Sequence, residues 1–277
     1  MHRILVVEDD RGIRHLVTEL LKSAGFEVDT ASDGLECLSK LKDESFDLII
    51  LDIWIPKMNG LEVMAELRKT PKPPRVIVMT ADNTQETVLR AIREQAYRYV
   101  SKPFESKALL LMVKTTLATP PPSSPIEVVS SKPDWVELLV PCDFDAADRL
   151  QGFMAQLKAD LSDEVREAVA RAFRELLLNA VEWGGKLDPT RKVRISYIRT
   201  RRMVLYRIAD PGPGFRVDEI PHAAVSYAPD QPFEHVRVRE EKGMRSGGFG
   251  LMLTQALVDD LIYNEARNEV VFIKYLD

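Results

Sequence analysis

The sequence of 277 residues predicts an α/β chain in two parts, a doubly wound parallel sheet followed by an α+β domain. Three observations predict it. Through residue 118 short apolar runs alternate with helical apolar stripes. From Ala118 to Pro133 prolines and serines interrupt every periodicity. Beyond that break, one strand pattern precedes two helical patterns, and paired strands follow. The expected domains are 1–118 and 134–277, joined by a linker at 119–133.

In the first part, Ile4–Val7, Val28–Ala31, Leu48–Leu51, Val76–Met79 and Tyr97–Val100 are too short and too apolar for surface helices and read as strands. Between the first two, Ile13, Leu16, Val17, Leu20 and Leu21 form an amphipathic stripe, and Gly25 stands where that helix stops. Stripes of the same kind (Leu35, Leu38, Leu41; Leu61, Met64, Leu67; Val88, Leu89, Ile92; Leu109, Met112, Val113) follow each later strand, which gives the parallel topology. The segment ATPPPSSPIEVVSSKP reads as a semi-extended linker.

In the second part Trp135–Val140 reads as a strand, followed by two helical patterns. The stronger runs from Asp163 to Trp183, with Val169, Ala172, Phe173, Leu176 and Leu177 on one face and Ser162 as its N-cap. Val193–Arg199 and Met203–Asp210 form a strand pair. Phe215–Ser246, rich in prolines and charges, is longer than a passive connection and reads as a lid or mobile loop. Phe249–Val258 closes as a helix and Leu261–Tyr275 as two short strands.

A hydrophobic content of 45% with 29% charged residues excludes a disordered or fibrous chain. No apolar run approaches the roughly 20 residues of a membrane span, and MHRILVVEDD lacks the features of a signal peptide, so a cytoplasmic protein without a membrane partner is expected. Cys37 and Cys142 have no metal-ligand spacing and read as small buried residues. The net charge of -5 gives no basic field for nucleic acid, so no direct contact with it is expected.

Ligands of a doubly wound sheet sit beyond the carboxyl ends of its strands. There the first strand runs into Glu8, Asp9 and Asp10, the third ends at Asp52, the fourth at Thr80, and the fifth is followed by Lys102. Carboxylates gathered this closely call for a hard divalent cation such as Mg2+. With their charge neutralised, Asp52 could attack a phosphoryl group while Lys102 stabilises the transferring oxygens. The segments ILVVEDD, LDIWIPKMNG, VMTAD and YVSKPF resemble the receiver domain of bacterial two-component response regulators, a CheY-like, flavodoxin-like fold. The resemblance implies that Asp52 is the phosphoacceptor, that Glu8, Asp9, Asp52 and the Trp54 carbonyl hold Mg2+, and that Asp10 is not essential. It also implies that Thr80 and Tyr99 are switch residues and that Lys102 pairs with the phosphoryl group. A sensor histidine kinase or phosphotransfer protein is then the phosphodonor. Ile55, Asn59 and Gln95 depart from that pattern, where methionine, aspartate and glycine are usual.

In the second part Glu175 and Asn179 lie one helical turn apart and project from the same side. The strand ending at Asp210 runs into Pro211-Gly212-Pro213-Gly214, whose glycines let backbone approach a ligand closely. Gly247-Gly248-Phe249-Gly250 opens a helix whose free amides suit phosphate. The ordered set Glu175, Asn179, Asp210, Gly212, Gly214, Gly248 and Gly250 resembles the Bergerat-type (GHKL) ATPase fold, an α+β sandwich. The resemblance implies that Asn179 binds the Mg2+ of Mg-ATP, that Asp210 recognises the adenine amino group, and that the glycine boxes border the nucleotide. The lid would carry Arg237, Arg239, Lys242 and Arg245 as candidate phosphate contacts, although their alternation with glutamates equally fits a solvated loop.

None of His2, His15, His222 and His235 occupies a dimerising helical hairpin of the kind a histidine kinase needs. FRELLLNAVEWGG and the closing GGFGLMLTQALVDDLIYNEARNEVVFIKYL are most similar to anti-sigma serine kinases of the RsbW and SpoIIAB type. That family implies Glu175 as general base, a STAS-type anti-anti-sigma factor as substrate, a sigma factor as competing partner, and a homodimer as one assembly. Trp183 departs from it, replacing a common histidine. Two rival readings remain: a nucleotide-dependent binding switch with little phosphotransfer, and a histidine-kinase-like ATPase acting in trans.

Overall fold

The computed structural model describes residues 2–122, 124–132, 134–157, 161–216, 241 and 250–276. The chain divides into two compact units, Met1–Pro122 with Gly152–Leu157, and Ser123–Gln151 with Lys158–Asp277.

In the first unit β1 (Arg3–Val7), β2 (Glu27–Ala31), β3 (Leu48–Leu51), β4 (Arg75–Thr80) and β5 (Arg98–Ser101) pair in parallel in the order β2-β1-β3-β4-β5. Between and after them run α1 (Arg11–Ser23), α2 (Gly34–Asp43), α3 (Gly60–Leu67), α4 (Gln85–Arg93) and α5 (Ser106–Ala118). Every residue of β3 is buried, as a central parallel strand covered on both faces requires. The strand order reverses between β1 and β3, so their carboxyl ends frame the crevice.

The helices start on local hydrogen bonds. The Asp10 carboxylate accepts from the Ile13 amide at 2.8 Å, which gives that acid a structural task as the N-cap of α1. Asn59 and Glu62 close a capping box on α3. Two leucines of the expected stripes stay outside the core: Leu16 and Leu35 are 53% and 50% exposed, because each lies at the margin of its apolar face. Gln95 takes a left-handed conformation at φ +63°, which a glycine would adopt at lower cost.

Asp33, 4% exposed, caps α2 and accepts from Lys57 Nζ at 2.6 Å. The lysine and the Glu36 amide hold its carboxyl below the usual aspartate range. A depressed carboxyl contributes stability above its unfolded pKa of about 4, and that stability is lost as pH falls through the lower folded value. Thermal melts between pH 6 and pH 2.5 are therefore expected to show a smaller acid-side fall in Tm for Asp33→Asn than for the wild type. Equal falls would exclude Asp33 as a source of the acid sensitivity.

In the second unit β6 (Glu127–Lys132), β7 (Trp135–Pro141), β8 (Lys192–Arg199), β9 (Met203–Ala209), β10 (Asp260–Tyr263) and β11 (Glu269–Tyr275) form an antiparallel sheet in the order β10-β11-β9-β8-β7-β6. The helices are α6 (Phe144–Gln156), of which the part up to Gln151 belongs to this unit, α7 (Asp163–Asn179) and α8 (Gly250–Leu257). On the helix-facing side Tyr197, Tyr206 and Phe272 are fully buried across three neighbouring strands, and Phe173 of α7 meets Tyr206 at 4.8 Å between ring centroids.

Three details differ from expectation. The linker reading of 119–133 breaks down at Glu127–Lys132, which pairs antiparallel with β7: Val128 lies opposite Leu138, and Val129 falls in a register shift before Ser130. The helix expected through Trp183 is α-helical only to Asn179 and continues as a π-helical turn, Ala180–Gly184. Its closing bond runs from the Gly185 amide to the Ala180 carbonyl at 2.8 Å, and Lys186 and Leu187 then leave in left-handed conformations (φ +58° and +54°). Ser162 occupies the N-cap of α7 without a side-chain capping bond, so the helix start relies on Asp163 and Glu164 in the first turn. Gly248, Arg237, Arg239, Lys242, Arg245 and nearly all of the expected lid lie outside the described residues. Cys37 and Cys142 are both free and buried.

Candidate functional site

At the carboxyl end of the parallel sheet, β1 delivers Glu8 and Asp9, β3 delivers Asp52, and Lys102 follows β5. Lys102 Nζ lies 2.6 Å from Glu8 Oε2 and 2.6 Å from Asp52 Oδ2, so one ammonium bridges two carboxylates. Asp9, exposed, joins them: the three acids offer oxygens that all lie within 4.8 Å of one another. Burial pushes the Glu8 carboxyl above its ordinary range, partly offset by Lys102. Burial also works against the Lys102 charge, but its bonds to Asp52 and Glu8 outweigh that and keep it firmly protonated. An all-oxygen set with more negative charge than one lysine balances fits a hard divalent cation.

Around this cluster, the Trp54 amide donates to Asp52 Oδ1 at 3.2 Å, while its indole stands 63% exposed beside the acids. Thr80 is fully buried at the end of β4. Its hydroxyl accepts from the Asp82 amide at 3.3 Å. Tyr99 is buried, burial raises its phenol pKa, and its hydroxyl donates to the Asp82 carbonyl. Asp82 was not singled out from sequence, yet both expected switch residues bond to its backbone. Its side chain accepts from the Thr84 amide at 2.9 Å, the Thr87 hydroxyl at 2.8 Å and the Trp54 indole. The only sequence signal was its place two residues after Thr80.

The second cluster lies within the other unit. Glu175 and Asn179 stand half-buried on α7, and a Cβ added at Gly250 would come within 2.5 Å of Glu175 Oε2, so the start of α8 lies directly against that carboxylate. Asp210 follows β9, and its Oδ1 accepts from the Gly212 amide at 2.7 Å. Burial raises its carboxyl pKa, against which the Gly212 amide and the Arg191 charge both act. Gly184 faces this carboxylate: a Cβ there would meet Asp210 Cγ and Oδ1 at 2.2 Å. At Gly214 (φ +87°) a Cβ would strike the Ala266 carbonyl at 1.6 Å. The π-helical turn and the 210–214 loop thus pack on each other through glycines, leaving Asp210 as the acidic group between them. Asp210, Gly212 and Gly214 are residues the sequence motif points to, whereas Gly184, Arg191 and Asn268, whose carbonyl accepts from the Asp210 amide at 2.9 Å, carry no sequence signal of their own.

Residues 4–114 match the response regulator receiver domain family, and residues 143–274 match the histidine kinase-like ATPase domain family. The regulatory protein VanRB of Enterococcus faecalis is 41% identical over 115 residues, covering 42% of this chain and 52% of VanRB. The transcriptional regulatory protein CpxR of Escherichia coli is 38% identical over 117 residues, 42% of this chain and 50% of CpxR. The chain therefore spans about half the length of these curated relatives. The DNA-binding response regulator MtrA of Mycolicibacterium paratuberculosis matches further, at 30% identity over 204 residues, 73% of this chain and 88% of MtrA. Among solved structures, the chemotaxis response regulator CheY4 of Vibrio cholerae matches 42% of this chain with 98% of its own, at 32% identity and a TM-score of 0.40. No helix among the described residues is long and apolar enough to cross a membrane. With the acidic crevice matched by one family and the Asp210 turn by the other, the chain belongs to the response regulators, with a receiver domain ahead of a histidine kinase-like ATPase domain.

Proposed function

We propose that phosphorylation of Asp52 in the receiver domain (1–118) controls an ATP-dependent serine/threonine kinase activity of the ATPase domain (134–277), acting on a STAS-type anti-anti-sigma factor with a sigma factor as competing partner. The observation that carries the receiver half is the Lys102 bridge between Glu8 and Asp52, 2.6 Å to each. A carboxylate oxygen of Asp52 attacks phosphorus. The bond from phosphorus to the donor's imidazole nitrogen breaks, and its electron pair leaves with the imidazole. Lys102, released from Asp52 Oδ2, then pairs with a phosphoryl oxygen. Glu8, Asp9, Asp52 and the Trp54 carbonyl would hold Mg2+, which supplies further neutralisation of the phosphoryl oxygens when bound. Thr80 and Tyr99 respond to the new charge through their shared partner Asp82.

In the second domain Asp210 would receive the adenine amino group, the glycines at 212, 214 and 250 would border the nucleotide together with Gly248, which lies outside the described residues, and Asn179 would hold the Mg2+ of Mg-ATP. Glu175 takes the proton of the attacking serine hydroxyl as the γ-phosphoryl moves and ADP leaves. Support comes from the half-buried Glu175 beside Gly250, with Asp210 framed by glycines.

The test is transfer from radiolabelled ATP to a STAS protein, with and without acetyl phosphate, using wild type, Asp52→Ala and Asn179→Ala. Acid-stable label is expected that vanishes in Asn179→Ala and responds to acetyl phosphate only when Asp52 is present. Acid-labile label would instead favour a histidine-kinase-like enzyme acting in trans. ATP binding without any labelling would favour a nucleotide-dependent binding switch.

A further inference from the structure

The Asp210 turn is held from two sides by residues that touch its backbone. The Asp210 amide donates to the Asn268 carbonyl at 2.9 Å, and Asn268 Nδ2 donates to the Gly212 carbonyl at 2.9 Å. From the opposite direction the Arg191 guanidinium donates to the Pro211 carbonyl. Arg191 is itself anchored at the start of β8. Its amide donates to the Asp188 carbonyl at 3.0 Å, and its own carbonyl accepts from the Cys142 amide at 3.0 Å. Successive carbonyls of one tight turn are thus tied to a guanidinium on one side and an amide on the other.

The charge environment gives Arg191 a second task. Gly184 of the π-helical turn and Asn268 of the β10–β11 connection bring no charge to Asp210. The Cys142 thiol, after β7, is pushed up to about 11 by burial and stays neutral. Among the described residues Arg191 is the cation acting on Asp210, whose pKa is raised by burial and lowered in turn by the Gly212 amide and by the Arg191 charge. A protonated carboxyl would weaken as an acceptor, since a hydrogen bond to a charged oxygen is about twice as strong as one to a neutral oxygen.

We propose that Arg191 is a positioning residue for adenine recognition, clamping the Pro211 carbonyl and thereby orienting Asp210 as the acceptor for the exocyclic amino group. The inference rests on the ATP-site reading above.

Two ligands separate the two ideas. Equilibrium binding to the full chain would be measured for ATP and for purine riboside triphosphate, which lacks the exocyclic amino group, with wild type, Arg191→Met and Arg191→Lys. Arg191→Met is expected to weaken ATP about tenfold and to change the analogue by no more than about twofold. Arg191→Lys, which keeps a charge and a donor, is expected to recover most of the ATP affinity. Equal weakening of both nucleotides, or of neither, would overturn the role of Arg191 while leaving the ATP site standing. A wild-type chain that binds neither nucleotide would overturn the ATP-site reading and this inference with it.

Discussion

Asp52→Asn is expected to lose receiver phosphorylation by acetyl phosphate in Mg2+ buffer by a factor on the order of 10^3 or more, as removal of a nucleophile does elsewhere. The substitution keeps size and leaves an oxygen for the Trp54 amide, which donates to Asp52 Oδ1 at 3.2 Å. What disappears is the nucleophile, because an amide oxygen carries no full charge. Asp10→Asn is the matched control. Asp10 is the third acid of the same run, but its carboxylate is committed to the Ile13 amide, a bond that an asparagine oxygen accepts equally well, so the substitution leaves the helix cap nearly unchanged. Hydroxylamine-labile label should therefore persist in Asp10→Asn. Label that survives in Asp52→Asn would move the acceptor to another carboxylate of the cluster.

Gly184→Ala is expected to reduce ATP affinity about a hundredfold, the cost of displacing a recognition group by an ångström or so. Its added methyl would lie 2.2 Å from the Asp210 carboxylate, a distance no pair of atoms tolerates, so the carboxylate or the π-helical turn must shift. Gly152→Ala on α6 provides the contrast: nothing lies within 4 Å of its added Cβ, and a helical alanine gains up to about 1 kcal/mol. Calorimetric titration of both variants with ATP, alongside their melting curves, tests the pair. Unchanged ATP affinity in a folded Gly184→Ala would remove Asp210 from nucleotide recognition.

The parallel sheet was legible because its signal is local. LIIL at 48–51 cannot be a surface element, and each strand is followed by a stripe that can cover it. Asp52, Glu8, Asp9 and Lys102 were legible for a related reason, since strand ends in this topology must converge. Strand β6 was not, because proline signals dominate its neighbourhood and Glu127–Lys132 becomes a strand only through pairing with β7. The π-helical turn was hidden because Ala180 and Val181 continue the apolar stripe of α7 whichever carbonyl their turn bonds to. Asp82, Arg191 and Asn268 act largely through main-chain groups, whose arrangement only folding reveals.

The displaced register of β6 has a consequence for how the sheet ends. A regular outermost strand exposes evenly spaced amides and carbonyls on which a further strand, from any chain, could be laid. Between Val128 and Ser130 the extra residue breaks that spacing and turns Val129 outward, 49% exposed, while exposed Glu127 and Lys132 keep the strand's two ends charged. Among the described residues the sheet ends on this side with a strand that is irregular and charged, features that disfavour the laying-on of a further strand.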